Sequence, residues 1–321
     1  MSLLLMLACS PGEDFWLRTE DADLRVRVEG DLQADTTLIL LHGGPGGGSH
    51  DYNSGLYAEL LEAELAVAYY DQRGQGASTG TYAAEDVTVQ QLADDTAALV
   101  ELLRHRYGED EKLVLFGHSW GGQLGTVTLL DTEAEVQGWI EADGAHDVPL
   151  LNQYALEMFE DYGTREIDAG RNQRDWKEIR SFAREVDPEA VTLEDSGDIN
   201  YYAGIAEELM PEVVYAEAVY GGRAPNPSPG IPGWVSDLRT SDLLLEEVDF
   251  KSTTERLHEI DEPTLLLWGR YDFICPPGLG EDADRLIPDS ELVIYESSGH
   301  SPMDSEPEAF AQDILDFVET L

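Results

Sequence analysis

Positive charge is scarce in this sequence. Its 321 residues include 19 Lys plus Arg against 66 Asp plus Glu, so the formal net charge is -47. The lysines are Lys112, Lys177 and Lys251. Such a surface repels polyanions, which excludes nucleic acid and anionic membranes as partners of the general surface. The acids are dispersed along the chain, a pattern that indicates either adaptation to high salt or an ordinary acidic, solvated surface.

Cysteines and long apolar runs are also few. The two cysteines, Cys9 and Cys275, do not suggest a disulfide framework. No apolar run approaches the roughly 20 residues that a membrane-spanning helix needs. The hydrophobic content of 42% is that of an ordinary globular protein. The length fits one main domain with an insertion.

The start of the chain resembles a targeting signal. Residues 3–8 are apolar or small, Cys9 follows them, and polar residues continue to Asp14, as at the end of a bacterial lipoprotein signal. The apolar stretch is short and no Lys or Arg precedes it, so a simple apolar arm on a cytoplasmic protein is the alternative. We favour a cell-envelope protein with a lipid anchor at Cys9, and residues 1–14 as a separate segment and tether.

Residues 112–122 combine a strand pattern with a serine between glycines. The apolar run 113–116 is typical of a buried parallel strand, and Gly117-His118-Ser119-Trp120-Gly121 follows it directly. A Gly-x-Ser-x-Gly stretch between a strand and a helix is typical of a nucleophile elbow, whose glycines leave room for neighbouring backbone. Ordinary glycine turns also contain this pattern, but the strand before it and the helix-compatible residues after it favour Ser119 as a nucleophile.

A second glycine-rich segment, residues 42–48, follows the apolar run 37–41. It lacks the Lys-Ser/Thr ending of a P-loop and the spacing of a dinucleotide-binding loop, so it predicts no nucleotide site. Its position after a buried strand indicates half of an oxyanion hole, in which backbone N–H groups bind developing negative charge. We assign Gly44 and Trp120 as the donors, with Gly43 as the alternate. No cofactor and no metal are predicted.

Two later strand patterns end in an aspartate and a histidine. Asp272 follows the run 264–268, and His300 follows the run 292–295. The carboxyl ends of parallel strands meet at one edge of a sheet, and the order serine, aspartate, histidine is that of α/β-hydrolases. We predict that His300 accepts the Ser119 proton while Asp272 orients the imidazole. Asp143, which also follows a strand pattern, is the alternative acid.

The alternation of strand and helix patterns predicts the fold class. We expect an α/β-hydrolase fold, a mostly parallel twisted sheet with helices on both faces, formed by residues 15–147 and 251–321. Residues 148–250 show helical spacing without strand-like runs and are expected to form an inserted helical cap. The alternating residues 24–28 predict a half-exposed edge strand. Asp71 and Arg73 are expected to form an ion pair that braces a loop, His42, His118 and His146 to have packing or loop roles, and Cys275 to be a small buried hydrophobe.

Four motifs together resemble the proline iminopeptidase family of α/β-hydrolases. They are His42-Gly43-Gly44-Pro45-Gly46, Asp71-Gln72-Arg73-Gly74-Gln75-Gly76-Ala77-Ser78, Gly117-His118-Ser119-Trp120-Gly121-Gly122, and Gly269-Arg270-Tyr271-Asp272 with Cys275-Pro276. The first two are rather specific to that family, whereas the superfamily shares the serine elbow and the final histidine. The resemblance covers the catalytic domain. It implies an aminopeptidase that releases N-terminal proline or another small apolar residue from short peptides.

The resemblance also implies that cap glutamates hold the free amino group of the substrate. The cap offers no motif that can be aligned securely, so the candidates are Glu207, Glu208, Glu212 and Glu217. For each of them a solvated helix face is the alternative. Two other functions stay open, a carboxylesterase or related small-molecule hydrolase and a non-catalytic binding protein on the same scaffold. The presence of all three triad groups argues against the second.

Overall fold

The computed structural model describes residues 12–81, 83–213 and 233–321. Cys9, the predicted lipid-anchor site, and Glu217, one of the predicted amine-binding residues, lie outside these ranges. The strands are β1 (Glu13–Arg18), β2 (Ala22–Gly30), β3 (Thr36–Leu41), β4 (Ala66–Tyr70), β5 (Thr79–Gly80), β6 (Lys112–His118), β7 (Gly138–Ala142), β8 (Thr264–Gly269) and β9 (Ser290–Tyr295).

The α-helices alternate with these strands and also fill the segment between β7 and β8. They are α1 (Leu56–Glu62), α2 (Val89–Tyr107), α3 (Trp120–Asp131), α4 (Val148–Ala169), α5 (Gln173–Glu185), α6 (Leu193–Glu208), α7 (Gly233–Asp249), α8 (Pro277–Leu286), α9 (Pro302–Ser305) and α10 (Pro307–Thr320). No helix in the described ranges combines the length and apolarity that a bilayer crossing requires.

The strands form one sheet in the order β1-β2-β4-β3-β6-β7-β8-β9, with β5 paired to β2. All neighbours from β4 to β9 are parallel, and β2 is antiparallel to β1, β4 and β5. The predicted edge strand at residues 24–28 is therefore internal, because β1 covers its outer side. β1 begins at Glu13, so the last two residues of the predicted tether 1–14 belong to the sheet. The tether prediction was wrong for these two residues, because Glu13 and Asp14 pair with Val28 and Arg27 of β2.

Each face of the sheet carries its own apolar core, as the predicted α/β-hydrolase fold requires. Successive strand residues point to opposite faces, so Ile39 and Leu41 of β3 pack on one side while Leu38 and Leu40 pack on the other. Helices α2, α3 and α8 cover the first face, and α1, α9 and α10 cover the second. The predicted fold class is confirmed.

The described part of residues 148–250 is helical. Helices α4, α5 and α6 pack around Phe159, Trp176 and Ile199, all of them buried. Phe273, from the loop after β8, is buried in the same cluster and stacks on Phe159, with 6.3 Å between the ring centroids. Through Phe273, helices α4, α5 and α6 pack against the edge of the sheet that contains the carboxyl end of β8. The division into a catalytic domain and a cap stays a prediction.

The acidic surface predicts that stability depends on salt. Because the net charge is -47, repulsion between carboxylates destabilises the compact state, and salt screens it. We expect the melting temperature to rise by roughly 5 °C or more from 0.01 to 0.5 M sodium chloride, since the Debye length falls from about 30 Å to under 10 Å in that range. Sucrose at matched osmolality is the control. A flat or falling melting temperature would contradict the expectation.

Candidate active site

Ser119 lies on the sharp turn between β6 and α3. Its backbone φ of 57° and ψ of -123° place a non-glycine residue in a sparsely populated region, which costs about 1–3 kcal/mol when the surroundings enforce it. The Ser119 N–H donates to the Ala142 carbonyl at 3.1 Å. A Cβ at Gly117 would clash with the carbonyl of Gly121, and one at Gly121 with that of Leu41. The two glycines therefore allow the tight turn that presents the Ser119 hydroxyl.

Gly44 and Trp120, the predicted oxyanion-hole residues, line one cavity together with Ser119. Trp120 is the first residue of α3, so its N–H is one of those that a helix leaves without an intrahelical acceptor, and the helix dipole favours negative charge there. The Gly43 N–H already donates to the Tyr52 hydroxyl at 2.9 Å. Gly44, with a φ of 132°, lines both cavities that contain Ser119. These contacts favour Gly44 over Gly43 as the partner of Trp120.

The loop after β4 braces both halves of the predicted oxyanion hole. The Gln75 side chain accepts a hydrogen bond from the Gly46 N–H at 2.6 Å. Gln72 accepts one from the Trp120 indole at 2.8 Å and donates to the His42 carbonyl at 2.9 Å. All these groups are buried or nearly so. The loop at residues 71–78 thus holds the glycine segment against the start of α3.

The two charged residues of this loop do not pair with each other as expected. Asp71 accepts hydrogen bonds from Ser49 and from the Ala77 N–H, at 2.7 to 2.9 Å. Arg73 forms ion pairs instead with Asp95 of α2, at 2.7 Å, and with Asp21, at 2.8 Å. Both residues still support the loop, but they do so through long-range partners.

Asp272 and His300 are in direct contact. His300 Nδ1 lies 2.9 Å from Asp272 Oδ2, and Asp272 is fully buried. Asp272 Oδ1 accepts two further hydrogen bonds, from the N–H groups of Ile274 and Cys275, each at 2.8 Å. Three donors thus hold the buried Asp272 carboxyl group in one orientation. Ser119 and His300 line the same cavity, so the structure brings the three predicted triad residues to one edge of the sheet.

A hydrogen-bonded chain that the sequence analysis missed joins His300 to the glycine loop. His118 Nε2 donates to the His300 carbonyl at 2.8 Å, and burial lowers the pKa of His118 to about 3. His118 Nδ1 therefore accepts from the Tyr52 hydroxyl at 2.7 Å, and Tyr52 accepts from the Gly43 N–H. No motif marks Tyr52, because only the fold brings it beside the elbow. His42 and His146 are also buried and make the loop or packing contacts expected of them.

The environment of His300 raises its pKa. Burial opposes the imidazolium, but the Asp272 carboxylate outweighs burial through its charge and hydrogen bond, and Glu207 adds to this effect. A histidine that accepts a proton must be neutral, so activity is lost as pH falls through its pKa. We expect the acid limb of kcat/KM to have its midpoint above 6.5.

The measurement is a pH series with a substrate that does not itself titrate. Glu207→Gln removes one of the two acidic neighbours and should lower the midpoint, whereas Glu194→Gln, an exposed change on the same helix, should leave it in place. A midpoint at or below 6.5 in the unmodified protein would contradict the role of these carboxylates.

Two cavities meet at Ser119. One, of about 370 Å³, also contains His300 and is bordered by the acidic residues Asp51 and Asp304. The other, of about 300 Å³, has apolar walls that include Leu151, Leu245 and Ile274. A substrate whose scissile bond lies beside Ser119 would therefore have one substituent in the apolar cavity and the other in the more polar cavity.

Of the described glutamate candidates, Glu207 lies against the triad. It is buried at the end of α6, and its Oε2 accepts from the His300 N–H at 3.0 Å. Glu208 is exposed. The charge of Glu212 contributes to raising the pKa values of Arg171 and Tyr271, whereas the carboxylates that raise the pKa of His300 are Asp272 and Glu207. Of these three glutamates, Glu207 is therefore the one that contacts His300. This contact depends on how α6 packs against the sheet, and no local sequence pattern indicates it.

Asp272, Cys275 and His300 place potential metal-ligand atoms within 4.8 Å of one another. Burial, followed by the nearby carboxylates, raises the pKa of the Cys275 thiol well above its ordinary value. The Asp272 and His300 side chains are hydrogen-bonded to each other, and Asp272 Oδ1 also accepts from the N–H groups of Ile274 and Cys275. We therefore assign these three residues to the triad and its surroundings rather than to a metal site.

The fold and this site together define an α/β-hydrolase. The model of the alpha/beta hydrolase family matches residues 38–313, and the chain belongs to that family.

The predicted resemblance to proline iminopeptidases is confirmed. The chain is 28% identical over 308 residues to the proline iminopeptidase of Saccharolobus solfataricus, a match that covers 91% of this chain and 87% of the relative. Among solved structures, VinJ has a TM-score of 0.64 at 23% identity and covers 97% of this chain and 100% of its own. The proline iminopeptidase of Mycobacterium smegmatis has a TM-score of 0.58 at 21% identity, and the match covers 96% of this chain and 98% of its own. At these identities the two structures show the fold alone.

Proposed function

We propose that this protein is a serine aminopeptidase that releases N-terminal proline or another small apolar residue from short peptides. The observation that carries the proposal is the meeting of Ser119, the bonded pair Asp272 and His300, and the buried Glu207 carboxylate at one edge of the sheet. A general esterase needs the first three groups. We assign the fourth to the protonated amine of the substrate. The similarity to proline iminopeptidases supports the same assignment.

The proposed reaction follows the serine-hydrolase sequence. His300 accepts the proton of Ser119 as the hydroxyl oxygen attacks the carbonyl carbon, and Asp272 stabilises the imidazolium that forms. The N–H groups of Gly44 and Trp120 bind the oxyanion of the tetrahedral intermediate. His300 then protonates the departing amine, which leaves an acyl group on Ser119. Water hydrolyses this ester with His300 again as the base.

Substrate orientation follows from the two cavities and from Glu207. A carboxylate has lone pairs for several donors, so Glu207 is able to bind an amine besides the His300 N–H. The apolar cavity beside Ile274 fits the side chain or ring of the N-terminal residue. The cavity bordered by Asp51 and Asp304 then receives the leaving peptide. The proposed cap, residues 148–250, restricts access to short chains.

A substrate panel tests the proposal. We expect prolyl and alanyl arylamides to be hydrolysed at least about 100-fold faster, by kcat/KM, than their N-acetylated forms, because acetylation removes the charge that Glu207 binds. Simple esters of the same acyl size are the control for triad chemistry. If blocked substrates or plain esters react as well as free-amine substrates, the protein is a carboxylesterase. If a serine-directed phosphonate leaves Ser119 unlabelled, the scaffold is a binding protein.

A further inference from the structure

Asp143, considered above only as a rival acid, lies beside the triad aspartate. It follows β7 directly, as Asp272 follows β8, and these parallel strands are neighbours in the sheet. The Asp143 N–H donates to the Leu267 carbonyl at 2.9 Å, and its φ of 44° turns the chain out of the strand. The side chains of Asp143 and Asp272 are fully buried, and both residues are hydrogen-bonded to Gly269: the Gly269 N–H donates to Asp143 Oδ1 at 2.8 Å, and the Asp272 N–H donates to the Gly269 carbonyl at 3.3 Å. A hydrogen bond with Asp272 is among the causes that raise the pKa of Asp143.

Two neighbouring buried carboxyl groups cannot both be ionised at modest cost, so one of them holds a proton. Asp272 receives three donors, from Ile274, Cys275 and His300. Asp143 receives one, from the Gly269 N–H to Oδ1 at 2.8 Å, and its buried Oδ2 meets no donor within the described parts of the chain. Because Asp143 receives the fewer donors, it is the carboxyl group to which we assign the proton.

We propose that Asp143 is a neutral carboxylic acid in the working enzyme and that its proton, donated to the Asp272 carboxylate, holds that carboxylate in the orientation that His300 needs. Asp143 Oδ2 then has the partner that an ionised Asp143 would lack. Asp143 is a positioning residue, since it acts on the reaction through Asp272. The inference rests on the proposed triad and adds a fourth member to it.

The surrounding charges favour the neutral form of Asp143. Burial, then the charge of Asp272 and the hydrogen bond to it, and finally the charge of Glu207 raise its pKa well above the ordinary range. The Gly269 N–H opposes this shift without overcoming it. Cys275 and Tyr295 are the further titratable groups beside Asp143, since the charge of Asp143 contributes to raising the pKa of each.

Two substitutions at Asp143 distinguish the effect of its hydrogen-bond donor from the effect of an ionised carboxylate. Asn keeps a hydrogen-bond donor and an acceptor in nearly the same shape, cannot ionise, and tolerates positive φ. Gly removes the donor and also accepts the backbone conformation. We expect Asp143→Gly to lower the rate of phosphonate labelling of Ser119 roughly 10- to 100-fold, as loss of a hydrogen bond to a charged group implies. Asp143→Asn should recover most of that loss.

Two measurements that do not depend on catalysis complete the test. The infrared difference between the unmodified protein and Asp143→Asn at pH 7 should contain the carbonyl band of a protonated carboxylic acid. The melting temperature of Asp143→Asn should exceed that of the unmodified protein by a margin that widens as pH rises above about 4, because an Asp143 that stays protonated in the fold loses its proton on unfolding.

The outcomes distinguish the inference from the proposed function. If Asp143→Asn loses as much labelling rate as Asp143→Gly, the ionised carboxylate is what matters and the proposal is overturned. Absence of the carbonyl band, or a melting-temperature margin that shrinks with rising pH, overturns it independently. If the unmodified protein is not labelled at all, the proposed serine chemistry fails, while the infrared and melting experiments still decide the protonation of Asp143.

Discussion

Replacing Ser119 with alanine is expected to lower kcat/KM on prolyl and alanyl arylamides roughly 10⁴- to 10⁶-fold, the range seen when a triad nucleophile is removed. The physical reason is that no other group at the elbow can form the acyl intermediate. Cys275 is close, but its thiol is buried and its pKa is raised well above the usual range, so it supplies no nucleophilic thiolate. The fold should persist, because Ala fills the same small volume.

The matched control for this experiment is Ser181→Ala. Ser181 lies exposed on α5, so the same chemical change there should leave activity within about twofold of the unmodified protein, as for most surface substitutions. Circular dichroism and melting temperature show whether both variants fold. Phosphonate labelling should disappear in Ser119→Ala and persist in Ser181→Ala. A Ser119→Ala variant that keeps most of its activity would remove Ser119 from the mechanism.

The parts of this site that sequence reasoning located are those with local signals. Ser119 stands out because a steric requirement, two close backbone approaches, selects glycine at Gly117 and Gly121. Asp272 and His300 could be predicted because each follows an apolar run that is typical of a buried strand, and the carboxyl ends of parallel strands lie at one edge of the sheet. The parallel sheet follows from the same continuous apolar runs, which only strands covered on both faces carry.

The parts that were missed depend on packing between distant segments. Glu13 and Asp14 were assigned to the tether because only their pairing with β2 shows that they begin a strand. The partners of Arg73 come from α2 and from Asp21, and no spacing rule connects them to residues 71–78. Tyr52 and Glu207 reach the triad because an intervening loop and helix α6 dock there. Sequence reasoning set Asp143 and Asp272 as alternatives for one role, whereas the structure buries both and connects each of them to Gly269.

The amine-binding role proposed for Glu207 predicts a selective loss. In Glu207→Gln, kcat/KM on free-amine arylamides should fall roughly 30- to 1,000-fold, because loss of one partner of a desolvated charge pair costs about 2–4 kcal/mol. Glu207 also accepts the His300 N–H, so some loss is expected with every substrate. The glutamine oxygen can still accept that hydrogen bond, and the loss on plain esters should therefore stay below about tenfold.

The ratio of free-amine to ester activity measures how much the amino group of the substrate contributes. Because both substrates use the same Ser119, Asp272 and His300, any disturbance of the triad cancels when free-amine and ester activities of one variant are divided. That ratio should drop in Glu207→Gln and stay unchanged in Glu194→Gln, an exposed position on the same helix. Equal losses on both substrates would mean that Glu207 only positions His300, and the amine would then have to meet another carboxylate. Glu208 and Glu212, tested as Gln variants in the same assay, would show whether either of them is that group.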